Sequence, residues 1–159
     1  MIFNELCIIL NKNNVVFLKD ECMTRLKTLK DKVQYRIKKS KDNVFLVRDF
    51  IDLSGRDQIL RALRELIAEK LVIRVGKGVY SKAKTSSLSG KTIPSDNLRN
   101  IAISTMKKLG VQVVPTSAEQ AYNNKLTTQV PNGFIIGVNK RVSRNISFER
   151  TVIQYETVI

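Results

Sequence analysis

The sequence predicts an α+β protein in which an N-terminal winged helix-turn-helix is followed by a small mixed α/β domain. Residues 44–82 run as a short strand, two helices and a glycine-turned hairpin, which is the element order of a winged helix-turn-helix. A stretch rich in turn-forming residues follows at 86–96. The remainder of the chain alternates between helical and strand patterns, which predicts the second, mixed domain.

The first predicted helix runs from Thr24 to Lys39, and its apolar residues recur at helical spacing. They are Leu26, Leu29, Val33 and Ile37. Basic residues occupy much of the remaining surface, and three of them stand beside the next motif: Lys38, Lys39 and Lys41. These three are candidate phosphate contacts, and a solvated helix face is the alternative interpretation.

A short helix is predicted around Arg48–Leu53, and a longer one from Arg56 to Lys70. The longer helix has an apolar stripe made of Ile59, Ala62, Leu63, Leu66 and Ile67. Ser54 and Asp57 have capping-box spacing, so Ser54 is expected to cap the helix. The candidates for reading DNA bases lie off the stripe: Ser54, Arg56, Gln58, Arg61 and Arg64. Arginine can pair bidentately with guanine and glutamine with adenine, although a surface helix also carries such residues.

The predicted wing consists of the β-prone runs Val72–Val75 and Val79–Ser81 around a Gly76-Lys77-Gly78 turn. Both glycines are expected to supply the positive φ that a tight hairpin requires. Three cations on or near this hairpin are candidate contacts to the DNA backbone: Arg74, Lys77 and Lys82. The turn lacks the strand–loop–helix context of a phosphate-binding loop, so no nucleotide cofactor is predicted.

The chain is expected to divide into four parts. Residues 1–22 form an extension without a predicted function, residues 23–85 the winged helix-turn-helix, residues 86–96 a linker, and residues 97–159 the small α/β domain. The apolar stripes of the winged helix-turn-helix are self-consistent, so residues 23–86 are expected to fold alone, with marginal stability.

The C-terminal part has its own helix and strand signals. A helix that begins near Leu98 is expected to end at Gly110, and Thr116 with Glu119 predicts a capped helix to about Asn124. Strands are predicted at 111–114, 134–138, 142–148 and 151–155. Three cations here are candidate contacts to a protein partner or to DNA: Lys140, Arg141 and Arg144.

The charge of the chain favours a polyanionic partner. The formal net charge is +14, and residues 23–86 carry 17 basic and 7 acidic side chains. Such an excess attracts nucleic acid and predicts salt-sensitive binding. The competing interpretation is a general solubility charge, but here the charge coincides with the motif.

The absence of histidine excludes histidine bases, catalytic triads and histidine metal ligands. Cys7 and Cys22 lack CxxC spacing, so neither a metal site nor a cofactor is predicted. The apolar tetrads Cys7–Leu10 and Val15–Leu18 are too short to span a bilayer, so no membrane association is predicted. Because no secretion signal is evident, we expect a cytoplasmic protein with reduced thiols.

The hairpin and its surroundings resemble the winged helix of AbiEi-type antitoxins, which belong to bacterial abortive-infection (type IV toxin–antitoxin) systems and related transcriptional regulators. The resemblance is carried by Leu63, Leu66, Leu71–Val75 and Gly78–Tyr80. Short relatives of that family are similar to the C-terminal stretches at Gly110–Pro115, Ala118–Tyr122, Thr127–Pro131, Gly137 and Arg141–Arg144. The resemblance covers roughly residues 23–150. It implies a regulator that binds its own promoter and has a nucleotidyltransferase-like cognate toxin.

The sequence therefore predicts a transcriptional regulator that binds duplex DNA and serves as the antitoxin of a toxin–antitoxin pair, not an enzyme. One alternative is an RNA- or ribosome-associated basic protein. RNA modules usually stack bases on exposed aromatics, whereas Phe45, Phe50 and Tyr80 have the pattern of core residues. The other alternative, a metal-dependent nuclease, needs clustered carboxylates and a lysine. The carboxylates of the second domain show no such motif: Asp96, Glu119, Glu149 and Glu156.

Overall fold

The computed structural model describes residues 28–158, and within this range the chain is a mixed α+β protein with four α-helices and several small sheets. The elements in chain order are α1 (Leu29–Lys39), β1 (Val44–Leu46), a 3-10 helix (Val47–Phe50), α2 (Arg56–Ala68), β2 (Val72–Gly76), β3 (Val79–Thr85), β4 (Thr92–Pro94), α3 (Leu98–Leu109), β5 (Val113–Val114), α4 (Ser117–Asn123), β6 (Ile135–Val138), β7 (Ser147–Phe148), β8 (Thr151–Val152) and β9 (Gln154–Thr157). The predicted extension, residues 1–22, and residues 24–27 of the first predicted helix lie outside the described residues. The prediction that this helix includes Thr28 is wrong, because Thr28 is extended and caps a helix that begins at Leu29.

The first sheet is antiparallel, with strand order β1-β3-β2. Strand β3 is longer than its neighbours, and its far half, Ala83–Thr85, pairs with β4. Residues 92–94 of the predicted linker are therefore a strand, which corrects the expectation of a loose connector. The β-branched Thr92 and Ile93 suit this paired conformation, and the backbone bond from Ser86 to the carbonyl of Lys91 closes the turn between the strands.

Successive side chains along a strand point to opposite faces of its sheet. In the first sheet both faces are buried, each in a different core. Phe45 faces α1 and α2, in a buried core formed by Val33, Ile37, Phe45, Phe50, Ile59, Ala62, Leu63, Leu66, Val72 and Tyr80. Its neighbours Val44 and Leu46 enter a second core, formed with Val75, Val79, Leu98, Ile101, Ala102, Met106, Val111, Ile136, Val138, Ile146 and Ile153. The two predicted domains therefore share a core.

Lys108 of α3 adds an electrostatic link between the two halves of the chain. Its ammonium lies 3.0 Å from carboxylate oxygens of both Asp42 and Asp49. It also lies 5.5 Å from the centre of the Phe45 ring, within the range of a cation–π contact. Although burial opposes it, the two carboxylates raise the pKa of Lys108. The charge is thus retained where α3 packs against the first sheet.

The C-terminal part holds two smaller sheets. Strand β6 pairs antiparallel with β5 and parallel with β9, and β7 pairs with β8. The strand predicted over 142–148 is shorter than expected, because only Ser147 and Phe148 pair in a ladder. Two local predictions are confirmed here. Gly110 ends α3 with a φ of 70°, and Thr116 forms a reciprocal capping box with Glu119.

Within residues 28–158, the helices are too short or too polar for any of them to cross a bilayer.

Candidate nucleic-acid interface

Helix α2 presents cations to solvent on the side away from its core. Its buried stripe consists of Ile59, Ala62, Leu63 and Leu66. With about 3.6 residues per turn, Arg61 and Arg64 fall opposite that stripe, while Arg56 and Gln58 fall on its flanks. All four predicted DNA-reading side chains of the helix are exposed. The helix can therefore be approached by a large partner without disturbing the core.

Arg61 makes a weak internal contact. Its Nε lies 3.7 Å from Glu65 Oε1, and the two side chains are 74% and 49% exposed. Exposed pairs at this spacing contribute only about 0.3–0.5 kcal/mol, because solvent screens them. The guanidinium can thus be released to a stronger acceptor, such as a base edge or a phosphate, with little loss.

The prediction that Ser54 caps this helix is wrong. The N-cap is Gly55, helix α2 begins at Arg56, and no side chain makes the capping hydrogen bond. Asp57 is therefore the second helical residue, whereas a capping box requires the acidic residue at the third position. Ser54 lies outside the helix and is half-buried, which weakens its case as a base-reading residue.

Arg36 of α1 holds the segment that leads into α2. Its guanidinium donates to both carboxylate oxygens of Asp52 at 2.6 Å and to the carbonyl of Asp49 at 2.9 Å. The hydrogen bonds from Arg36 lower the pKa of Asp52. Asp49 in turn accepts a bond from the backbone N–H of Leu46 at 3.0 Å. That bond fixes the start of the 3-10 helix, which replaces the longer helix predicted around Arg48–Leu53.

The turn between β2 and β3 consists of two residues, Lys77 and Gly78. Gly78 has a φ of 72°, as predicted, but Gly76 does not have a positive φ. A Cβ atom added to Gly76 would lie 2.7 Å from the carbonyl oxygen of Asn145. Gly76 is therefore required by the close approach of a distant segment, which no local pattern could reveal. Lys77 and Arg74 are both exposed.

Of the three candidate cations in the C-terminal part, Arg144 lies at this turn. Its Nη1 donates to the carbonyl of Lys77 at 3.3 Å. No local sequence pattern reveals this partner, because the two residues are 67 positions apart. Lys140 and Arg141 are exposed and make no ion pair among the described residues. The β2–β3 turn thus carries Lys77, with Arg74 on the adjoining strand, and the Arg144 guanidinium lies against the backbone of the turn.

The other lysines that were predicted to contact the DNA backbone lie near the end of α1, away from the β2–β3 turn. Lys82 is three residues along β3 from Val79, or about 10 Å from the turn at the usual strand rise. Its ammonium donates to the carbonyl of Ser40 at 2.6 Å and lies 6.0 Å from the Phe45 ring centre. Lys82 therefore has a structural role in the free protein.

Lys38 and Lys82 line one surface groove. Three lysines near the end of α1 are exposed: Lys38, Lys39 and Lys41. Lys39 also donates to the Tyr35 hydroxyl at 3.2 Å. The structure accordingly separates the predicted backbone contacts into two groups. One group lies at the β2–β3 turn, and the other lies at the end of α1.

The three aromatic residues that were expected in the core are buried there. Phe45 and Phe50 pack with their ring centres 5.9 Å apart, and Tyr80 belongs to the same cluster. Because these rings are covered, they are not available to stack on bases. The surface around α2 and the β2–β3 turn is therefore suited to charge and hydrogen bonding rather than to stacking.

The carboxylates of the C-terminal part are dispersed or have structural partners. Glu119 caps α4 and pairs with Arg99 at 2.5 Å, and Asp96 bonds to Asn100 at 3.1 Å. Burial raises the pKa of Glu119, but the bonds to Thr116 and Arg99 outweigh it and lower the pKa overall. Across residues 28–158, no three Asp, Glu, Cys or His side chains come together in a group able to hold a metal ion.

Comparison with known proteins shows the family of the chain. Residues 29–158 match the family model described as a family of unknown function (DUF6088), so the chain belongs to that family. Searches of curated proteins and of solved structures found no significant match. The matched range begins with helix α1 and includes both the first sheet and the C-terminal part.

Proposed function

We propose that the chain is a sequence-specific regulator that binds duplex DNA through a winged helix-turn-helix formed by residues 29–85. The element order α1, β1, 3-10 helix, α2, β2, β3 and the sheet order β1-β3-β2 both agree with that fold. In this assignment the 3-10 helix and α2 are the two helices of the motif, and the β2–β3 hairpin is its wing.

The observation that carries the proposal is the exposed face of α2. A recognition helix inserts into the major groove and reads base edges with residues of its N-terminal half. Arg61 is exposed there, Gln58 flanks it, and Arg64 lies one turn further along. The fork of an arginine matches guanine O6 and N7, and a glutamine amide matches adenine N6 and N7. These side chains therefore have the chemistry of direct readout.

The β2–β3 turn supplies the second part of the interface. Arg144 donates to the backbone carbonyl of Lys77 there, and cations at a wing neutralise phosphates of the DNA backbone. Phosphate contacts position the protein without reading sequence. We therefore assign base selection to α2 and anchoring to the turn.

We further propose that the regulator is the antitoxin of a toxin–antitoxin pair in the cytoplasm. The support is its resemblance to AbiEi-type antitoxins, which implies a nucleotidyltransferase-like toxin. Co-expression with such a protein encoded next to this chain tests the proposal. The chain should restore growth that the toxin arrests. If the toxin remains fully active, the chain is a transcriptional regulator without an antitoxin role. Double charge reversal at the exposed Lys140 and Arg141 should weaken co-purification if these residues contact the toxin.

Selection from a randomised pool of duplexes tests DNA recognition. We expect recovery of a defined sequence that the protein prefers by at least about a thousandfold over random duplex, as in specific recognition generally. Equal or tighter binding to RNA of the same sequence would favour the RNA-associated alternative. Reproducible plasmid nicking with Mg²⁺ or Mn²⁺, abolished by changes at Asp96 or Glu149, would instead establish a nuclease.

A further inference from the structure

The β2–β3 turn is in contact with a segment that lies far away in the sequence. Gly76 forms an isolated antiparallel bridge with Ile146. The carbonyl of Asn145 approaches so closely that a side chain at Gly76 would collide with it. Arg144 adds a bond from its guanidinium to the carbonyl of Lys77. Residues 144–146 therefore contact either the turn or Gly76, the last residue of β2, at three successive positions.

This segment is anchored to the protein body. Ile146 is fully buried and belongs to the same core as Val75 and Val79, which flank the turn in β2 and β3. The backbone N–H of Ile153 also donates to the carbonyl of Ile146 at 2.9 Å. A two-stranded hairpin tip is only marginally ordered by itself. An anchored third segment limits its motion.

Arg144 has donors left over after its contact with the turn. A guanidinium carries five N–H donors. Within the described residues, the bond from Nη1 to Lys77 is the one hydrogen bond that Arg144 makes. Its Nη1 also lies 3.6 Å from the position of a Cβ atom added to Gly78. The guanidinium is thus held against the turn and can still donate two hydrogen bonds to a phosphate.

We propose that residues 144–146 brace the β2–β3 turn, and that Arg144 positions Lys77 so that the two cations bind DNA phosphate as a unit. The role in DNA binding rests on the proposed function. The brace itself is a property of the free protein. The C-terminal part of the chain would thereby contribute directly to the DNA interface.

Hydrogen exchange of the free, full-length protein tests the brace. Arg144→Ala and Gly76→Ala should each accelerate amide exchange at residues 76–79. Arg150→Ala removes the same charge elsewhere, and Gly133→Ala adds a Cβ where no atom lies within 4 Å. Both controls should leave the turn unchanged. If Gly76→Ala does not fold, Arg144→Ala decides the matter, and unchanged exchange at the turn would overturn the brace.

A double-mutant cycle between Lys77→Ala and Arg144→Ala tests the shared phosphate contact. If the residues act as a unit, the combined loss of affinity should be smaller than the product of the single losses by about threefold or more. Gln58→Ala is the control: it should reduce the affinity by the same factor in the wild type and in Arg144→Ala. A different factor in the two proteins would mean that Arg144→Ala disturbs the whole interface and not only the contact with Lys77. Independent, multiplicative losses would overturn the positioning role. A wild-type protein that binds no duplex would refute the proposed function, while the exchange measurement would still decide on the brace.

Discussion

Arg61 is the residue at which base reading and folding can be separated most cleanly. In Arg61→Ala the helix loses an exposed side chain and one weak pair with Glu65. The lost pair amounts to about 0.3–0.5 kcal/mol, and alanine is a slightly better helix former than arginine. The free energy of unfolding should therefore change by less than about 0.5 kcal/mol.

The same change should be far more damaging to specific binding. Losing one bidentate contact to a guanine is worth about 1–3 kcal/mol, or roughly a 5- to 150-fold rise in Kd for the selected duplex. Binding to random duplex should fall much less, because a base contact contributes little there. The selected preference at one base position should relax.

Fluorescence anisotropy with selected and random duplexes measures the effect, and thermal unfolding checks the fold. Arg150→Ala is the matched control, because Arg150 is exposed in the C-terminal part and its loss changes the net charge equally. Similar losses in both variants would mean that Arg61 acts only through charge. An unchanged Kd in Arg61→Ala would refute the assignment of α2 as the reading helix.

Three further predictions follow from the contacts. Glu65→Gln should tighten binding to duplex DNA, because it frees Arg61 and removes a negative charge from the proposed interface; weaker binding in anisotropy would contradict this. Glu119 has a pKa below its ordinary value of 4.5, because its hydrogen bonds outweigh the opposing effect of burial. Its contribution to stability should be present above that value and be lost as the pH falls through the lowered pKa, so Glu119→Gln should flatten the acid side of the stability curve; an unaltered curve would count against it. Residues 23–86 alone should have a melting temperature in circular dichroism well below that of the full chain, because four buried side chains of the first sheet become exposed: Val44, Leu46, Val75 and Val79. An equal melting temperature would show that the shared core is dispensable.

The elements of the first half followed from local pattern. The apolar period located α2, and the glycine turn located the hairpin. The shared core could also have been recognised, because Val44-Phe45-Leu46 is a continuous apolar run, and such runs are typical of strands buried on both faces. The expectation of a self-sufficient N-terminal unit rested instead on the self-consistent apolar stripes of residues 23–86.

Two capping boxes with the same spacing had different outcomes. Thr116 with Glu119 formed one, whereas Ser54 with Asp57 did not, because Gly55 intervenes as the N-cap. The spacing alone cannot decide between helix starts one residue apart. The role of Gly76 was beyond any local argument, because it depends on Asn145 approaching from a distant part of the chain.

The salt dependence of binding to the selected duplex tests DNA recognition through this basic surface most directly. If about five to eight phosphates are neutralised, the slope of log K against log salt should lie roughly between −4 and −7. Lys77→Ala should make that slope shallower by about one, whereas Gln58→Ala should lower the affinity and leave the slope unchanged. A wild-type slope near zero, or equal slopes in the wild type and Lys77→Ala, would contradict the proposed interface.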